Sequence, residues 1–372
     1  MEGSFSITDY HFTILFKEIN MYSHITSVKL IICSALFLLC ISSCSMMQDD
    51  LAHCPSGVWV KLEVTMDVEY GGKYSPQSFA DDLKNISLWV FDENGVFINK
   101  YREDGNILKQ NNNTMNLPID PGKYRMVVWT GTESVNYEVS AMIPGISTIE
   151  DLKVRVTRDV QSRQSHKLPS LWHGRIENAV VKSSEYTHLS IELTKNTNTI
   201  ISVLHDLSGT DLNSDDYSFE IIADNGYMDY DNRLLPDDNI TYSAYMVETA
   251  LMSDDDAIRG TASQRDETIL SVARAELSTL RLVTDRSSRF IVKNKTTGVV
   301  ILNINLTEYL LLTREYYAGS NGTIMSEQAY LDYEDIYRIV FFLVPTGNPS
   351  NPYLCTTLKI NGWIIRLNNA EL

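Results

Sequence analysis

The sequence predicts an all-β protein built of β-sandwiches, and three observations carry that expectation. Apolar and polar residues alternate over many short stretches, and Asn-Gly and Pro-Gly turn signals separate them. No fixed-period repeat of the solenoid kind is present. At 372 residues the chain has room for two domains of ordinary size beyond a leader.

The first element is not a strand. Val28 to Ile41 reads VKLIICSALFLLCI, with Lys29 near its start. That run is shorter than the about 20 apolar residues of a bilayer-spanning helix. It has the size of a signal-peptide core with a basic start. Met21 is the expected true start, because Glu2, Asp9 and Glu18 suit such a segment badly. Ile41-Ser42-Ser43-Cys44 resembles the bacterial lipobox. Two small residues let a peptidase grip the extended backbone, and the thiol takes the diacylglycerol. Cys40 fails this test, since Leu39 precedes it. The expectation is a leader over 1–43 and a lipoprotein that begins at Cys44. Its acyl chains would hold it in the outer membrane at about 0.8 kcal/mol per buried methylene. The alternative is a plain secretory peptide with a coincidental cysteine. Residues 44–54 form the tether, whose Asp49 and Asp50 read either as a surface-export signal or as solvated spacer.

Strands follow. VWVKLEV sets Val58, Val60, Leu62 and Val64 on one face. A short helix is expected next, capped by Ser75, with Pro76 in its first turn and Phe79 and Leu83 on one face. ISLWVF and VFINKY flank Asp92-Glu93-Asn94-Gly95, a hairpin signal. Pro121-Gly122 precedes YRMVVW, and HLSIEL alternates cleanly. Beyond it, strands are expected at IISVL, YSFEIIA, LRLV (Leu280 to Val283), VVILNI and YRIVFFLV. LKINGWIIRL closes the series as a hairpin about Asn361-Gly362, and NLTEYLLLTREYY reads as a helical interruption. Thr194-Lys195-Asn196-Thr197-Asn198, polar between two strand patterns, marks the expected boundary of sandwiches over 55–194 and 195–372. Acidic segments around Leu212 to Asp216, Asp229 to Asp238 and Asp254 to Asp256 read as exposed loops.

Charge and motifs exclude several functions. A net charge of −17 repels nucleic-acid phosphates and anionic headgroups. The phosphate-loop, dinucleotide, zinc-protease, nucleophile-elbow and CxxC patterns are all missing, so neither an enzyme nor a cofactor is expected. Histidines are scattered without ligand spacing; His173, beside Trp172, reads as a structural strand-end residue. DYDNRLLPDD and Asp254 to Asp256 lack the calcium-loop pattern and are expected to be solvated, with no metal. Trp59, Trp89 and Trp129 either pack in the core or stack a sugar. Beyond Cys44 only Cys54 and Cys355 remain of five cysteines. They form either one bridge, stabilising by about 5 kcal/mol, or two unrelated buried thiols.

The ordered blocks CPSGVWVKLEV, LKNISLWVFDENGVFI, PGKYRMVVWTG, LWHGRIENA, LTKNTNTIISVL, EQAYLDYEDIYRIVFFL and INGWIIRLNNAEL resemble the FimB/Mfa2 family of fimbrial anchor subunits from Bacteroidales. The resemblance runs over nearly all of Cys44 to Leu372. It departs at Tyr333, where the family often carries arginine. It implies two transthyretin-like β-sandwich domains with short helical insertions. It also implies a lipid-anchored subunit that attaches a type V fimbria to the outer membrane and limits its length. The implied partner is a fimbrial shaft subunit, joined by β-strand addition. Only Asn368 to Leu372 follow IIRL, so no long C-terminal donor extension is expected. A surface glycan-binding lipoprotein, or a tip adhesin of the same fold, is the alternative reading.

Overall fold

Almost every alternating stretch is a paired strand in the computed structural model. It describes residues 58–64 (backbone only), 81–182, 187–253, 269–317 and 322–367. The first strands are β1 (Val58–Val64), β2 (Asn85–Asp92), β3 (Phe97–Asp104), β4 (Thr114–Leu117) and β5 (Gly122–Thr130). Three short ones follow: β6 (Tyr137–Val139), β7 (Lys153–Val156) and β8 (Arg163–Gln164). Then come β9 (Trp172–Val181), β10 (Thr187–Lys195), β11 (Thr197–Asp206), β12 (Tyr217–Ala223), β13 (Tyr227–Asp229) and β14 (Ile240–Ser243). The last are β15 (Met246–Ser253), β16 (Ile269–Leu280), β17 (Arg289–Asn294), β18 (Val300–Asn305), β19 (Ile336–Asn348), β20 (Asn351–Ile360) and β21 (Trp363–Arg366). Short helices α1 (Gly105–Gln110), α2 (Leu306–Leu311) and α3 (Glu327–Tyr333) interrupt them.

The strands make four sheets. The largest has the order β3-β2-β5-β9-β10-β1-β4, and a second runs β15-β16-β11-β19-β20-β21. A five-stranded sheet (β18-β17-β12-β14-β8) and a three-stranded one (β13-β7-β6) complete the fold. In β2 and β5 burial is nearly continuous, because both faces of their sheet are covered. Ile86, Leu88, Val90, Met126 and Val128 face Leu108 of α1 and Ile191 and Leu193 of β10. Trp89, Phe91, Val127 and Trp129 point the other way, into a core continuous with Phe219, Phe290 and Phe341. Two of the short strands cross the sequence midpoint: β7 pairs with β13, and β8 with β14.

Local chemistry departs from expectation in several places and agrees with it in others. LRLV is not a strand: β16 ends at Leu280. The carbonyls of Leu280 and Arg281 are taken by the Asn225 side-chain amide, and that of Leu282 by Gln328 Nε2, instead of by a neighbouring strand. In the first hairpin only Gly95 adopts a positive φ, and Asp92 Oδ1 accepts from the amides of Asn94 and Val96. The second hairpin uses positive φ at both Asn361 and Gly362, as a tight two-residue turn requires. Of the helix expected from Ser75, Asp81 and Asp82 are helical, Leu83 is buried but not helical, and residues 75–80 lie outside the described residues. Two helices were not anticipated. Asp104 caps α1 by accepting from Asn106 N, and Ser326 caps α3 by accepting from Ala329 N.

Candidate functional site

The polar stretch expected to mark a domain boundary is half-buried at Thr194 and Lys195 and buried from Asn196 to Asn198. β10 and β11 are separated by Asn196 alone, which has no exposed surface and donates its backbone N–H to Leu171 O at 2.7 Å. The side-chain amides of Asn196 and Asn232 exchange hydrogen bonds of 2.6 and 3.1 Å. Asn198 Nδ2 donates to Leu280 O, and Tyr242 Oη donates to Asn225 Oδ1 at 2.8 Å. Polar groups survive here because nearly every one has a partner.

Charges ring this network. Lys195 Nζ lies 3.0 Å from Asp82 and 2.9 Å from Asp335. Burial opposes its charge, but the two carboxylates outweigh burial and raise its pKa. Arg281 grips Asp332 with two bonds of 2.7 Å and donates a third to Asn232 O. His173 is buried against Trp129, ring centroids 4.6 Å apart, and Nε2 donates to Tyr230 O at 2.9 Å. Burial, helped by Arg281 and Arg175, drives its pKa down to about 4, so it is neutral at pH 7. The structural role expected of His173 matches this position.

Beside the network the large sheet splits. β9 and β10 pair only at His173↔Thr194 and Trp172↔Lys195. Gly174 sits at the apex, where a Cβ would come within 2.4 Å of Glu192 O. Beyond it opens a cavity of about 970 Å³, lined by Arg175, Glu177, Glu192, Asp231 and Arg281 among others. Arg175 pairs with Glu177 and with Asp231, the latter at 2.8 Å.

Residues singled out in the sequence fare differently. Cys44 and Cys54 lie outside the described residues, as do Asp254 to Asp256 and the side chain of Trp59. Cys355 is buried in β20; its Sγ donates to Thr357 O at 3.2 Å, and burial pushes the thiol up to about 12. Trp89 and Trp129 are core residues, not a sugar platform. The acidic segments are only partly loops on the surface. Leu212 is buried, and Asp237, 3% exposed at its side chain, pairs with Arg158 at 2.6 Å and Arg155 at 3.4 Å. The sequence reading missed a surface pair: Tyr316 and Trp363 stack at 4.1 Å with both rings about half exposed. Among the described residues no cluster of acids, histidines or cysteines is placed to hold a metal, and no helix is long and apolar enough to cross a membrane.

The sheets join through a buried polar seam, and the class of the protein, a fimbrial anchor family, follows from its sequence. The model of the family of Fimbrillin-A associated anchor proteins Mfa1 and Mfa2 matches residues 51–369, and the chain belongs to that family. No curated protein sequence matches the chain. Among solved structures, an adhesin candidate from Bacteroides thetaiotaomicron is 30% identical, with a TM-score of 0.69, covering 86% of this chain and 100% of its own. A candidate polysaccharide-binding protein from the same organism is 27% identical, with a TM-score of 0.68 and coverages of 84% and 98%. The fimbrial anchor protein Mfa2 from Porphyromonas gingivalis shares the fold at 18% identity, with a TM-score of 0.62 and coverages of 84% and 100%.

Proposed function

We propose that the chain is a lipid-anchored fimbrial subunit, held in the outer membrane through acylated Cys44, that attaches a type V fimbria and limits its length. The observation that carries this reading is the family match over residues 51–369, which begins a few residues after the lipobox Ile41 to Cys44. The partner is the shaft subunit, joined by strand addition. Sandwiches divided at Thr194, and a Cys54–Cys355 bridge, belong to the same proposal. Electron microscopy of cells and medium after deletion of the gene tests it. Long filaments shed into the medium are expected; filaments of unchanged length, still attached, would overturn it. Thiol labelling of the oxidised, denatured protein tests the bridge, and reaction of both cysteines would refute it.

One observation favours a second reading, glycan binding at the surface. The stacked Tyr316 and Trp363 rings offer an exposed aromatic face of the kind sugars stack on. Saccharide-dependent quenching of fluorescence that disappears in Trp363→Ala would support it, and an unresponsive protein would set it aside.

A further inference from the structure

We infer that the turn Ile143–Ile146 is a second membrane contact, an apolar tip that rests in the bilayer interface beside the acylated tether. The inference rests on the lipid-anchoring reading above and gives the protein an orientation on the membrane. Ile143 and Ile146 are 54% and 73% exposed in the loop between β6 and β7. Residues 139–149 carry no charged side chain. Single exposed apolar residues are ordinary on a soluble protein. Two in one four-residue turn, with Pro144 exposed between them, make a tip.

The backbone of this turn is suited to a medium poor in water. Ile143 N donates to Ser147 Oγ at 2.9 Å and Gly145 N to Phe97 O at 2.8 Å, while Ile146 N and Ser147 N both donate to Ile143 O. Pro144 has no N–H to satisfy. Every backbone donor from Ile143 to Ser147 is therefore met within the protein, which lowers the cost of entering an apolar layer. Two further bonds, Phe97 N to Ser147 O and Ile149 N to Gly95 O, clamp the loop to the β2–β3 hairpin.

Strand register puts the tip at the end of the sheet where the tether joins. Phe97 lies opposite Phe91 of β2, Phe91 opposite Arg125 of β5, and Gly122, where β5 starts, opposite Val181 of β9. Lys182 N reaches Thr187 Oγ1, and Thr187 lies opposite Val58, the first residue of β1. The tip and the start of β1 thus share one end of the seven-stranded sheet, about 25 Å apart at the usual strand spacing. Residues 44–57, which join Cys44 to β1, reach at most about 50 Å when fully extended. On so short a leash even weak insertion is favoured, because lipid is always at high local concentration. The contact is apolar, which suits a chain whose net charge of −17 repels anionic headgroups.

Nitroxide quenching tests this with the full acylated protein in vesicles of phosphatidylcholine and phosphatidylethanolamine that contain doxyl-labelled lipid. A fluorescent amino acid is placed at Ile146 or, as a control, at Val135, which is 90% exposed beyond the other end of β5. The probe at Ile146 should lose most of its emission to the doxyl lipid, and the probe at Val135 should keep its own. Ile143→Asp should cut the quenching at Ile146 several-fold while the protein still floats with the vesicles. Floating protein whose Ile146 probe is not quenched, or is quenched no more than the Val135 probe, would overturn the inference, free the turn for a protein partner and leave anchoring intact. Acylated protein that does not float would defeat the anchoring proposal, and the membrane contact with it.

Discussion

At the scale of single residues, the seam between β10 and β11 concentrates the sensitive chemistry. Lys195 satisfies two carboxylates, one of them nearly buried, so Lys195→Met removes the cation that Asp335 and Asp82 share. The expected loss is about 3 kcal/mol, read from urea unfolding at pH 7. His173 sets a pH dependence. Its folded pKa, about 4, lies below the 6.5 of the exposed ring, so the unfolded chain binds the proton first. Stability is complete above pH 6.5 and declines as pH falls toward 4, by about 2 kcal/mol between pH 7 and 5. Denaturation midpoints across that range should show the decline, and His173→Gln should flatten it relative to the parent.

Elements differ in how much of them the sequence discloses. β12 and β10 were legible because one face of each is covered, which leaves alternation in the sequence. β2 was legible as a run of apolar residues, although its two buried faces erase the alternation. LRLV misled because its pattern is that of a strand while its carbonyls are met by side chains distant in the sequence, a fact no local window contains. MVETALMS carries a charge and small residues next to an acidic segment, so its pattern does not mark β15 as a strand. The site was less legible than the fold. Asparagines at 196 and 198 look solvated by composition, and only the distant amides and carbonyls that meet them explain their burial. The one signal available was the density of amides itself. Gly174 is the clearest element-scale test: Gly174→Ala must push β9 from β10 next to their ladder at His173 and Thr194. About 2 kcal/mol of destabilisation is expected, measured by thermal unfolding.

For the whole molecule, β7 and β8 find partners among the described residues only in β6, β13 and β14, two of which lie beyond residue 195. A fragment over 55–194 should therefore lose those pairings and expose Trp89 and Trp129. It is expected to bind a hydrophobic dye and aggregate, whereas the intact chain should give one calorimetric transition. Cys44→Ala should move the protein from membrane to soluble fractions without altering that transition. The parallel pairing of β1 with β10 has a mechanical consequence. Seven residue pairs, Val58↔Thr187 to Val64↔Leu193, hold the first strand, and β10 runs through Asn196 straight into β11. A pull applied between the start of β1 and the end of β10 slides these strands along each other instead of peeling them apart. All the rungs then share the force at once, and survival is governed by the rate of forced opening. A ladder loaded in shear resists most along its own strand axis, so on the proposed anchoring the first strand is held best against a lengthwise pull.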